Sequence, residues 1–186
     1  EMLEMASHGA KMHPRSIELG MLYNIPILVA SAFGNNDGTL IHEGVVNNME
    51  IGNKVSGIAV DTNVSKITVL GIVDRPGIAA SVFEPLAEVG ISVDVIVQNA
   101  SVKGTTDVTF TVSNDDLSKA VSVIKKIKGD IGASSITSST DLAKISIVGT
   151  GIQNAPGIAA QMFRTLYEAN INIEMITTSE IRITCI

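Results

Sequence analysis

The 186-residue sequence predicts an α+β fold in which one β-α-β-β-α-β unit is written twice. Three observations carry that expectation. The stretch Lys66–Ile96, KITVLGIVDRPGIAASVFEPLAEVGISVDVI, returns at Lys144–Ile176 as KISIVGTGIQNAPGIAAQMFRTLYEANINIEMI. From the shared Pro-Gly-Ile-Ala-Ala onward the copies align without a gap, Pro76 with Pro156, Phe83 with Phe163, Leu86 with Leu166 and Ile91 with Ile171. A match of this kind marks a duplicated structural unit. Within each copy the apolar spacing also switches from alternation to helical recurrence and back, as strand gives way to helix and helix to strand.

Taken in order, Glu1–Tyr23 reads as helical with breaks at Gly9 and Pro14. Ile25–Ala32 is an almost wholly apolar strand, expected to be buried on both faces. Asn35-Asn36-Asp37-Gly38 is a turn cluster and Thr39–Ile41 a short extended piece. The polar, Asn-rich stretch 46–54 reads as a linker, and Val55–Thr62 as a strand ahead of the first copy. In that copy Ile67, Val69 and Leu70 form a short strand, ended by a loop at Asp74 and Arg75. Pro76 suits the first helical position, where its missing N–H costs nothing. Ala79, Ala80, Phe83, Leu86 and Ala87 then recur along one helix face, and Gly90 stops the helix, with Asn170 standing there in the second copy.

Ile91, Val93, Val95 and Val97 alternate as a half-buried strand, and Val108, Phe110 and Val112 as another. A second amphipathic helix follows from about Asp115, with Leu117, Val121, Ile124 and Ile127 inward and Lys125, Lys126 and Lys128 outward. Ile131–Thr137 closes the unit as its last strand. This order is the split unit of ferredoxin-like folds, a four-stranded sheet covered on one face by two helices. The second copy runs through Ile181, Ile183 and Cys185 and stops at Ile186, short of a second helix and a fourth strand.

A net charge of −6 speaks against a nucleic-acid partner, and the lysine trio reads as a solvated helix face. Cys185 is the single cysteine, so no disulfide forms within the chain and a reducing, cytoplasmic setting is expected. No apolar run approaches the ~20 residues of a membrane span, and no signal-peptide pattern opens the chain. His8, His13 and His42 lack metal-ligand spacing. No nucleophile has a base beside it, and no Gly-rich loop with its Lys and metal ligands cradles a phosphate. Neither a metal site nor a catalytic residue is expected.

Several phrases together resemble the aspartate kinase family over the whole chain. Gly9-Ala10-Lys11, His13-Pro14-Arg15, Asn24-Ile25-Pro26 and Gly38-Thr39-Leu40-Ile41 are similar to the end of its amino-acid-kinase catalytic domain. Asp74-Arg75-Pro76-Gly77, Val97-Gln98-Asn99, Gly104-Thr105-Thr106-Asp107 and Thr177-Thr178-Ser179-Glu180-Ile181-Arg182 are similar to its tandem ACT regulatory domains. The resemblance implies two ferredoxin-like ACT domains, the first inserted in the second, after a remnant of an α/β kinase domain. The boundaries it suggests are 1–45 for the kinase end, 46–54 for the linker, 55–62 for a strand given to the second ACT domain, 63–140 for the first ACT domain and 141–186 for the incomplete second.

The repeated loop has a physical case as a ligand site. An amino acid presents a carboxylate and an ammonium. Backbone N–H groups at the helix start Pro76-Gly77-Ile78-Ala79 can receive the carboxylate with help from the helix dipole, and Gly77 permits close approach. Asp74 stands ready for the ammonium, whereas Asn154 takes its place in the second copy and offers no charge. The bland alternative, turn-forming Gly and Pro with capping Asn and Ser, stays open.

The resemblance implies that the ligands are lysine and threonine, bound as feedback inhibitors between ACT domains and commonly across two subunits. One site would use Asp74, Arg75, Pro76, Gly77, Ile78, Ala79, Ser92, Val93, Asp94, Gln98, Ser101 and Thr109. The other would use Gln153, Asn154, Gly157, Ile158, Ala159, Asn172, Ile173, Thr178 and Ser179. Lys11 would lie near nucleotide phosphates. ATP and Mg are implied for the full enzyme and no cofactor for this stretch, which alone should be inactive. A homodimer through the ACT sheets and a catalytic domain or subunit are the implied partners. An assembly module without an effector is the alternative.

Overall fold

The computed structural model describes residues 1–34, 36–43, 54–99, 104–153 and 155–186. The expected linker 46–54 lies outside these residues except for Lys54. The chain divides into two compact units, one formed by Glu1–Asp61 with Lys144–Ile186 (unit 1) and one by Thr62–Ala143 (unit 2). The second is inserted in the first. No helix of the described residues is long and apolar enough to cross a membrane.

Unit 2 holds most of strand β3 (Gly57–Val73), then α3 (Ile78–Glu88), β4 (Ile96–Gln98), β5 (Thr105–Val112), α4 (Leu117–Ile127) and the start of β6 (Ser135–Val148). Its strands run in the order β4-β5-β3-β6. β3 and β5 are antiparallel, with Ile67 opposite Phe110 and a bulge between Val69 and Ile72. The apolar faces of both helices close on the sheet: Ile78, Val82 and Leu86 from α3 and Ala120 and Ile124 from α4 are buried with Ile67, Val69, Val108 and Phe110. Phe83 stands edge-on to Phe110, ring centroids 5.3 Å apart.

Unit 1 carries the second copy: the end of β6, α5 (Ile158–Glu168), β7 (Ile176–Thr178) and β8 (Arg182–Cys185), with the first residues of β3. The strand order is β3-β6-β8-β7, and the Ser56 N–H donates to the Val148 carbonyl at 2.7 Å. The second copy thus takes its missing strand from the segment ahead of the first. Its core of Ile147, Ile152, Met162, Leu166, Ile183 and Cys185 is smaller. The same unit includes α1 (Met2–Ser7), α2 (Pro14–Leu22) and a ribbon of β1 (Ile27–Val29) with β2 (Thr39–Ile41).

Several expectations need correction. The strands expected at Val55–Thr62 and from Ile67 are one, because β3 runs unbroken through Asp61, Thr62 and Asn63 for 17 residues. Ser138–Asp141, beyond the strand expected over Ile131–Thr137, lies inside β6, which begins only at Ser135. These residues occupy the stretch where each strand leaves one core before entering the other, so polar side chains there cost little. The strand expected over Ile91–Val97 is regular only at Ile96–Gln98, although the Asp94 N–H still bonds the Thr111 carbonyl at 3.1 Å. The apolar Ile25–Ala32 segment is not buried on both faces: only Ile27–Val29 is strand, and Leu28 is 61% exposed. Ile27 lies against α2 at Gly20, whereas the side of the ribbon that carries Leu28 and Leu40 is exposed.

Candidate functional site

The repeated Pro-Gly step is a turn, not the first turn of a helix. Gly77 has φ 88° and ψ −5°, and the Ile78 N–H donates to the Arg75 carbonyl at 3.2 Å. Proline at the second position and glycine at the third with these angles make a type II turn. The helix begins only at Ile78, which corrects the placement of Pro76 at its first position. The second copy repeats the geometry, with Gly157 at φ 95° and the Ile158 N–H 3.5 Å from the Ala155 carbonyl. The Ile78 N–H is therefore not free for a ligand. The next N–H groups, at Ala79 and Ala80, lie in a first helical turn that supplies no intrahelical acceptor. A Cβ added to Gly77 or Gly157 would meet nothing within 4 Å, so the space over both turns is open.

In unit 2 this turn lines an open concavity of about 460 Å³ formed by Asp74, Arg75, Pro76, Gly77, Ile78, Ala79 and Gln98. Two ties hold its rim. The Asp74 N–H donates to the Gly104 carbonyl at 2.9 Å, and the Asp107 carboxylate accepts the Gly71 N–H at 2.7 Å. Gly71 sits at φ 65° in the β3 bulge, and a Cβ there would lie 2.5 Å from Ser134 Oγ. Asp107 and Gly71 thus position the end of β3 that carries Asp74. The sequence offered a signal for this in the Gly104–Asp107 phrase, but nothing that paired it with Gly71.

Of the remaining residues assigned to the first site, Gln98 joins the concavity and Ser92, Val93 and Asp94 do not. They follow α3, and 11 residues of helix, about 16 Å, separate them from the turn. Val93 packs against the core. Thr109 is half-buried on β5 with its hydroxyl 3.1 Å from that of Thr68. The second copy has the same cross-strand hydroxyl pair in Ser146 and Thr184, 2.8 Å apart and fully buried. This repeated pair escaped the sequence reading, which sees residues but not register. Ser101 lies outside the described residues.

At the second turn Gln153, Gly157, Thr178 and Ser179 are exposed. Ile158, Ala159 and Ile173 pack against the core. Asn172 follows α5 and so stands at the far end of that helix, while Asn154 lies outside the described residues. The flanking loops are joined by the Gly149 N–H, which donates to the Ile181 carbonyl at 2.9 Å. The Ser179 N–H donates to the Arg182 carbonyl at 2.8 Å.

Helix α1 meets both loops. The Glu1 carboxylate accepts the Thr150 N–H and the Ser56 hydroxyl, each at 2.8 Å. Burial alone would raise the Glu1 pKa; the hydrogen bonds from Thr150 and Ser56 and the nearby terminal ammonium outweigh it, and the net shift is downward. Glu4 Oε1 lies 2.9 Å from Arg182 Nε. The Nε–H is not aimed along that contact, so charge more than hydrogen bonding holds the pair. Arg182 also donates to the buried His8 ring, itself 3.6 Å from Glu4. Lys11 is exposed. Cys185 is buried with its thiol pushed up by that burial.

A family model for the ACT domain matches residues 67–127 and 145–186. The aspartate kinase of Pseudomonas putida is 42% identical over 187 residues, which cover all of this chain and 45% of that protein. The chain thus spans less than half the length of the curated relatives it matches. The regulatory subunit of aspartate kinase from Thermus thermophilus, solved in a ligand-free form, is 40% identical with a TM-score of 0.67, covering 72% of this chain and 87% of that one. A crystal structure of aspartokinase alpha and beta subunits matches at 42% identity and TM-score 0.65, over 70% of this chain and 86% of that chain. The duplicated βαββαβ units, the paired Pro-Gly turns and these likenesses agree: the chain belongs to the aspartate kinase family and corresponds to its ACT-domain regulatory part.

Proposed function

We propose that the chain senses free amino acids on behalf of an aspartate kinase, the enzyme that transfers a phosphoryl group from ATP to the β-carboxyl of L-aspartate. The product, 4-phospho-L-aspartate, begins lysine, threonine and methionine synthesis, and lysine, threonine or both are the feedback effectors. The observation that carries this reading is the open concavity at Asp74–Ala79 and Gln98. It combines a carboxylate for an ammonium with a helix start for a carboxylate. A site using Ser92–Asp94 as well draws them from a second subunit, since one unit holds them a helix length away. The effector acts by binding one pose of the regulatory part more tightly than another.

The ATP and Mg chemistry belongs to a catalytic domain or subunit, and the 186 residues alone are inactive in this reading, with Lys11 at most a nucleotide contact. The alpha and beta subunits of the aspartokinase that this chain resembles, and the Thermus regulatory subunit, support such a partner. Calorimetry with L-lysine and L-threonine, separately and together, tests the proposal. Asp74→Ala is expected to weaken one amino acid by more than about tenfold, or 1.4 kcal/mol. An unchanged affinity would count against the first turn.

The sheet edges favour a second role in assembly. β4 and β7 are edge strands in their units, and Ile96 and Ile176 on them are half-exposed. Pairing such edges in a homodimer removes unpaired backbone groups. A dimer that gives no heat with either amino acid would leave assembly as the function.

A further inference from the structure

We infer that helix α1 is the output element of the second turn: Glu1 and Glu4 grip the two loops that border it and carry its ligand state to the N-terminal segment. The inference rests on the effector reading above.

The duplication supplies the argument. In unit 2 the Asp107 carboxylate takes the Gly71 N–H, so the loops beside the first turn are tied from within the unit. The counterpart of Asp107 by register is Arg182: Phe110 faces Ile67 and Ile96, as Cys185 faces Ile145 and Ile176. An arginine cannot accept an N–H. Gly149, the counterpart of Gly71, turns to the Ile181 carbonyl instead, and the guanidinium is directed to Glu4 and His8 of α1. An internal tie in one copy has become an external one in the other.

Glu1 completes the grip. It lies three residues from Glu4, the spacing that puts two side chains on one helix face. Its carboxylate holds Thr150, three residues ahead of Gln153, while Glu4 holds Arg182, three residues beyond Ser179. Met5 Sδ and Cε lie so close to Gly57 that a Cβ there would be 2.8 and 2.4 Å away, which fixes the helix against β3. A ligand that shifts either loop therefore shifts α1, and by reciprocity the grip alters the affinity of the second turn.

Hydrogen exchange on the 186-residue chain, with saturating L-threonine or L-lysine as probe, tests this. Protection of the α1 amides, led by Met5, is expected to change by about fivefold or more on binding. Glu1→Ala with Glu4→Gln should abolish that change and weaken binding at the second turn by a similar factor, with the Ile124 amide of unit 2 as folding control. If the double variant loosens unit 1, the charge exchange Glu4→Arg with Arg182→Glu should restore the response. An amino acid that binds, protects Gln153–Ser179 and leaves α1 unchanged overturns this inference alone. Absence of any binding heat overturns the effector reading, and this inference with it.

Discussion

Phe110 and Cys185 occupy one place in two copies of the same unit, each on the strand paired with the copy's first: Ile67 faces Phe110 and Ile145 faces Cys185. Around Phe110 two helices close the sheet face, and Val82, Leu86 and Ile124 have no exposed surface. Around Cys185 one helix of the described residues covers the sheet. A groove of about 400 Å³ opens beside it, lined by Val55, Ile58, Ile145, Ile147 and the apolar side of α5. Cys185 Sγ touches Met162 Sδ at 3.9 Å where the other copy has an edge-on ring pair. The same local sequence pattern thus yields a tight core or an open one, and the number of helices seated on the sheet makes the difference.

That contrast can be measured, beginning with its largest consequence. Phe110→Ala should cost about 3–5 kcal/mol, because it removes a fully buried ring from a core that cannot collapse around the gap. Cys185→Ala should cost about 1 kcal/mol, the loss of one small buried group. Urea unfolding followed separately through amides of each unit reads both, and equal costs would break the comparison. A second difference is smaller. Thr177 in β7 has a buried hydroxyl with no hydrogen-bond partner among the described residues, where the first copy has Val97. Thr177→Val should stabilise unit 1 by about 1 kcal/mol, since it removes an unsatisfied buried polar group; a loss of stability would show that the hydroxyl is used.

The smallest effect is a pH dependence confined to unit 1. The Glu1 pKa is lowered in the folded chain, so its contribution is complete above the ordinary value of 4.5 and is lost as pH falls through the folded value below it. Protection of the Thr150 amide, compared with that of Ile124, should fall as pH drops below 4.5 in the wild type. It should not do so in Glu1→Ala. A similar fall in both would remove Glu1 from the account.

Much of this was legible in the residues. The α3 face was legible in part: Leu86 is buried and Phe83 packs on the core as expected. Ala79, Ala80 and Ala87 are exposed and Ile78 and Val82 are buried instead, because the small alanines tolerate either side of the helix. The helix ends were legible: Gly90 and Asn170 hold φ 75° and 55°, with Ile91 and Ile171 N–H groups reaching back to Leu86 and Leu166. The Pro76 reading failed because two local rules compete for a Pro-Gly pair, and the left-handed Gly77 decides for the turn. The joining of the expected Val55–Thr62 strand to the next one as a single β3 was missed because polar residues such as Asn63 within a strand signal solvent, not a break. The assigned Ser92–Asp94 belongs to the α3 end opposite Asp74, which no spacing along the chain reveals.

The sequence by itself determined that one strand-helix-strand pattern is written twice, that a Pro-Gly step stands at the start of the helix in each copy, and that Gly90 and Asn170 stop those helices. These are short-range matters of sterics and periodicity. Only the tertiary structure decided that β3 serves both units, that Asp107 closes on Gly71 while Arg182 reaches Glu4, and that one core is sealed and the other open. Those outcomes depend on register and on contacts between residues far apart in the chain, where a side chain's role is set by what folding brings beside it.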